Sequence, residues 1–107
     1  MAESAHKTPL REHVEEGERL VASAALVGDS DDFVVWLQRC MEWRCAVDDF
    51  LAGEHGAGAL HEVKVAADAI RLEGDWQERL AAEIARVDVT NDLLSRLASD
   101  HDGSGPA

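Results

Sequence analysis

Few residues in this chain have the types and spacing that chemistry requires. Arg96-Leu-Ala-Ser-Asp-His101 sets an Arg and a His five positions apart, a pairing that could bind and protonate a phosphodiester during cleavage. Glu12, Glu15 and Glu18 follow one another at three-residue intervals, the spacing at which two carboxylates on one helical face can share a magnesium ion. Glu3-Ser-Ala-His6 is the only Glu-x-x-His, the unit with which helical bundles hold a pair of metals. Arg44 and Asp48 stand four apart in the most apolar stretch of the chain, where an ion pair would be partly shielded from water.

Each of these is incomplete as a catalytic site. The Arg–His spacing is that of helical ribonucleases, but the residue after Arg96 is Leu, and the His falls beyond the expected helix end. All-α nucleotide pyrophosphatases complete their magnesium site with a Glu-x-x-Asp, and no Glu here has an Asp three positions on. The Glu-x-x-His lies in a polar N-terminal tail. Gly53-Glu-His-Gly-Ala-Gly58 lacks the Lys and Ser/Thr of a phosphate-binding loop. His13, His55 and His61 are isolated from any Ser or Cys nucleophile. Cys40 and Cys45 lie five apart, which on a helix turns them roughly 140° from each other, so they neither form a local disulfide nor share a metal. The expectation is a chain without catalytic residues, cofactor or metal.

Composition narrows the partners. The 107 residues carry 22 acidic and 10 basic side chains, a net charge of -12. That field repels phosphate backbones and disfavours direct nucleic-acid binding. Apolar residues make up 46% and charged residues 30%, as in an ordinary globular domain. No apolar run reaches the roughly 20 residues of a membrane span, and the N-terminus lacks the apolar segment of a signal peptide. Unpaired thiols point to a reducing, cytoplasmic location.

The elements that would position any site are helices, since no segment alternates with the period of a strand. The most informative stretch is Asp31 to Ala52. Phe33, Leu37, Cys40, Val47 and Leu51 form an apolar stripe, with Trp36, Trp43 and Phe50 at heptad spacing on one flank and Val34, Met41 and Cys45 on the other. So wide an apolar arc needs contact from at least two directions. The pattern predicts a central or dimer-forming helix; the Trp36, Trp43 and Phe50 ridge is either core or interface and Arg44 with Asp48 either an intrahelical pair or part of a partner surface, and these five are the candidate interaction residues. Trp and Arg are enriched where binding energy concentrates.

Around it, the spacing predicts helices over about 9–27, 59–72 and 76–98. Thr8-Pro9 starts the first and Gly28 ends it. Gly17 in its middle marks a close approach to a bulky neighbour, for which a Trp of the central helix is the candidate. Asp29-Ser-Asp-Asp32 starts the central helix, Gly53 stops it, and Asp75 caps the fourth. The reading is an all-α, antiparallel four-helix bundle spanning residues 9–99, between disordered tails at 1–8 and 100–107.

Gly17-Glu-Arg-Leu20, Asp32-Phe33-x-x-Trp36, Trp43 and Phe50 together resemble small helical modules found beside effector domains in bacterial anti-phage and conflict proteins. The likeness covers about a third of the chain, Val14 to Leu51, and departs from the modules' Phe-Gly where Phe50 is followed by Leu-Ala. It implies an adaptor or recruitment role without catalysis. The bias toward Ala, Val, Asp and Arg points to a high-GC bacterial or phage source. The function expected is a helical protein–protein interaction module, a homodimer or a binder of a protein partner. The alternatives are a small acidic inhibitor that occupies a basic site, and a helical metal-dependent hydrolase or ribonuclease.

Overall fold

The computed structural model describes residues 9–54 and 56–102, with side chains as far as residue 99. The N-terminal tail, His55 and residues 103–107 lie outside the described residues, and with them the Glu3 and His6 motif. The chain is an all-α, antiparallel four-helix bundle: α1 (Pro9–Ser23), a 3-10 turn (Ala24–Leu26), α2 (Ser30–Glu54), α3 (Gly56–Asp68) and α4 (Trp76–Asp102).

Local signals account for the helix starts. The Asp29 carboxylate accepts the Asp32 amide at 2.8 Å, and the Asp32 carboxylate accepts the Gly28 amide at 3.1 Å. The first contact satisfies a donor that the first turn of α2 cannot satisfy itself, and the second ties the preceding segment to that turn. At α4 the exchange is reciprocal: Glu78 N–H donates to Asp75 Oδ1 at 2.9 Å, and Asp75 N–H donates to Glu78 Oε1 at 3.0 Å. This is a capping box with Asp as the cap. Gly74 precedes it at φ +93°, and a Cβ there would fall 2.3 Å from the Glu78 carboxylate.

The helix ends differ from expectation. The first helix gives way to the 3-10 turn at Ala24 because the Leu20 carbonyl accepts both the Ser23 hydroxyl at 2.9 Å and the Trp36 indole at 2.8 Å. Gly28 is not in the left-handed region; Val27 is extended, and the chain leaves the turn there. Gly53 is carried inside α2, and the break falls instead at Gly56, φ +84°. The third helix therefore begins and ends earlier than its apolar spacing implies. The turn that follows it is tied down from α4, where Arg86 Nε donates to the Ile70 carbonyl at 2.7 Å. The fourth helix continues to Asp102, beyond the expected stop at 98.

The second helix touches all three others, as its wide apolar arc demands. Phe33, Trp36, Cys40, Trp43, Val47 and Leu51 are buried along its inner face. The Trp43 ring and Asn91 from α4 close over Gly17: a Cβ built there would lie 2.7 Å from both Trp43 Cζ2 and Asn91 Oδ1. Both neighbours belong to the packed interior, so neither can swing away. Gly17→Ala should lower stability by about 1–3 kcal/mol through overpacking, against a helix-propensity gain of about 1 kcal/mol. Urea unfolding followed by circular dichroism measures the balance.

Candidate functional site

The aromatic ridge expected to meet a partner is inside the domain. Trp36 and Trp43 are 4% and 5% exposed. Each indole also has a polar reason to turn toward α1: Trp36 Nε1 donates to the Leu20 carbonyl, and Trp43 Nε1 to the His13 carbonyl at 3.0 Å. Asn91 Nδ2 adds a third such bond, to the Val14 carbonyl at 3.0 Å. Buried indoles need an acceptor, and the helix carbonyls supply a spare lone pair. Phe50 is half-buried, its ring 5.2 Å from that of His13. The interaction role expected of Trp36 and Trp43 is therefore corrected: α1 occupies the face that a partner would need.

Arg44 also has a different partner. Its guanidinium pairs with Glu83 of α4 rather than with Asp48. Glu83 is fully buried and Arg44 is 19% exposed at the side chain. Burial holds the Arg44 pKa below its ordinary value, Arg86 adds to that, and Cys40, Asp48 and Asp68 oppose it. Asp48 is half-buried, its pKa raised by burial against the pull of Lys64 and Arg44. The expected intrahelical pair is thus one edge of a polar cluster spanning α2, α3 and α4.

Glu83 escapes a reading of apolar residues because it is a charged residue at a core position. The signal that finds it is the heptad spacing of Leu80, Glu83, Val87, Thr90 and Leu94, in which Glu83, Val87, Thr90 and Leu94 are all fully buried. Glu83 Oε1, Thr90 Oγ1 and Asn91 Oδ1 are buried with no hydrogen-bond partner among the described residues. The Glu83 carboxylate is closed off from solvent, and only the Arg44 side of the pair is partly exposed.

The remaining chemical candidates are placed apart. Arg96 is exposed and donates to Asp92 at 2.8 Å. The backbone of His101 is helical, contrary to its expected place beyond the helix, and its side chain lies outside the described residues. Among the described residues no group of three or more His, Cys, Asp or Glu is placed to hold a metal ion. No helix of the described residues is long and apolar enough to cross a membrane.

The two cysteines part as their spacing requires. Cys40 is fully buried, and desolvation pushes its thiol up to about 11, partly offset by Arg44. Cys45 is exposed. In native protein one thiol should react quickly with Ellman's reagent and the second only after unfolding. A Cys45→Ser variant should lose the fast phase.

What stays open on α2 is the other flank. Val34 is 60% exposed and Met41 52%, and Cys45 and Ala52 continue the row at heptad spacing. Val35 and Leu26 are exposed beside it, at the α1–α2 corner. Comparison with protein-family models, with curated proteins and with solved structures finds no match for this chain.

Proposed function

We propose that the chain is a non-catalytic helical protein–protein interaction module of adaptor type, acting in a bacterial or phage regulatory or defence setting. The observation that carries this is the exposed row Val34, Met41, Cys45 and Ala52. Scattered exposed apolar residues are ordinary, but apolar residues recurring at heptad spacing along one exposed helix face are the form in which helices dock on one another, and here Gln38 and Asp48 stand between them in the row. Its helix is held rigidly, because the opposite face is locked to α1 by the two indoles and to α4 by Arg44 and Glu83. Binding to such a surface loses little freedom.

A photo-crosslinking amino acid at position 41 tests the reading in cells of the source organism. The expected result is a discrete adduct, identified by mass spectrometry, that is absent when the same group stands at exposed position 81 on α4. No adduct at 41, or equal adducts at both positions, would overturn it.

A further inference from the structure

Resting on the interaction-module reading, we infer that the open row of α2 receives a basic amphipathic helix from a partner protein. The row runs from Val34 through Met41 and Cys45 to Ala52, all exposed, about 27 Å of helix at 1.5 Å per residue. That is the length of a partner helix of about five turns.

Charge identifies the occupant. Asp31, Glu42 and Asp49 are exposed and lie in one row along the side of the apolar strip away from α3. Arg39 is the one cation on the outward face of α2 and stands beyond that acidic row, at the groove shared with Arg19, Glu16 and Glu42. On the other side, Arg44 faces Glu83 and Lys64 faces Asp48. A helix seated on the apolar row therefore meets three exposed carboxylates along one edge, of which Glu42 also accepts a hydrogen bond from Gln38. Lysines or arginines flanking its own apolar face would neutralise them, as flanking charges do in paired helices.

A second copy of this chain fits less well. Antiparallel pairing of two α2 helices sets Asp31, Glu42 and Asp49 against the same row of the other copy, and like charges in that position repel. Parallel pairing turns the acidic row toward the Arg44 edge, where the Arg44 guanidinium is already paired with Glu83. Each copy also brings a net charge of -12. Anionic lipid surfaces are repelled by the same carboxylates.

The test uses the full chain and two synthetic helical peptides of about 21 residues, or three heptads. One has Leu at the apolar positions with Lys flanking them, the other has Glu in place of every Lys. Affinity is read by fluorescence anisotropy, and location by the rate at which Ellman's reagent modifies Cys45, which sits within the strip while Cys40 stays buried. The Lys peptide should bind, slow the Cys45 reaction, and weaken at least about tenfold with Met41→Asp or Val34→Asp. Both substitutions fall on exposed positions, and circular dichroism checks that each variant folds. Asp31→Lys/Glu42→Lys/Asp49→Lys should reverse the preference toward the Glu peptide.

Binding of the Lys peptide that leaves Cys45 unprotected and ignores Met41→Asp would overturn the inference, because the contact is then general attraction to an acidic surface. A dimer that Met41→Asp dissociates, with neither peptide shielding Cys45, overturns the basic partner and leaves the module reading standing. A monomer in which neither peptide shields Cys45, together with no adduct at position 41, removes both.

Discussion

Trp43→Ala should unfold the domain rather than free a monomer from a complex. The indole is 5% exposed, its Nε1 donates to the His13 carbonyl at 3.0 Å, and its ring fills the recess over Gly17. Truncating a packed Trp costs about 3–5 kcal/mol. That is a large share of the 5–15 kcal/mol by which domains are stable. Urea unfolding should show the loss while sedimentation shows the mass of the folded fraction unchanged. Met41→Ala on the open flank should stay within about 0.5 kcal/mol. The contrast separates core from surface on a single helix. Equal effects of the two substitutions would mean that the indole is not held as described.

Arg44→Met should destabilise the domain far more than Arg44→Met/Glu83→Leu. Alone, it leaves the Glu83 carboxylate fully buried without its cation, a loss of roughly 3–5 kcal/mol. The double substitution replaces the pair with apolar side chains and should fall within about 1 kcal/mol of the original or exceed it. A double-mutant cycle in urea reads the coupling directly. Asp48→Ala, which the sequence alone marks as the partner-removing substitution, should be mild, since burial already disfavours its charge. If Asp48→Ala matched Arg44→Met, the sequence reading of the pair would be restored. The pair also resists slippage: moving α4 by one turn would bury Glu83 away from its guanidinium, and that penalty favours one register.

The features that sequence reveals are those decided within a turn or two of helix. Asp29 and Asp75 are caps because a short carboxylate before a helix reaches the free amides of its first turn, whatever lies around it. Gly17 was legible as a contact point because a mid-helix glycine is unfavourable unless something must come close. Its neighbour was legible too, since the central helix carries the large rings, and Trp43 is one of the two residues found there. Gly28 and Gly53 misled because glycine permits a helix stop without requiring one.

The sequence by itself determined that this is a helical bundle in which α2 meets all three other helices, as α4 also does, because the width of an apolar arc is a local property that sets how many neighbours a helix needs. It also bounded the charge that any partner must meet. Only the tertiary structure decided which flank of α2 stays open. Either flank was apolar enough to bury, and α1 took the one bearing Trp36 and Trp43, where carbonyls of His13 and Leu20 accept the indole N–H groups and Gly17 leaves room for a ring. The partner of Arg44 was settled in the same way. Asp48 lies four residues along the same helix, but Glu83 is brought across from α4 into a fully buried position, and a buried carboxylate holds the guanidinium more strongly than a half-exposed one can.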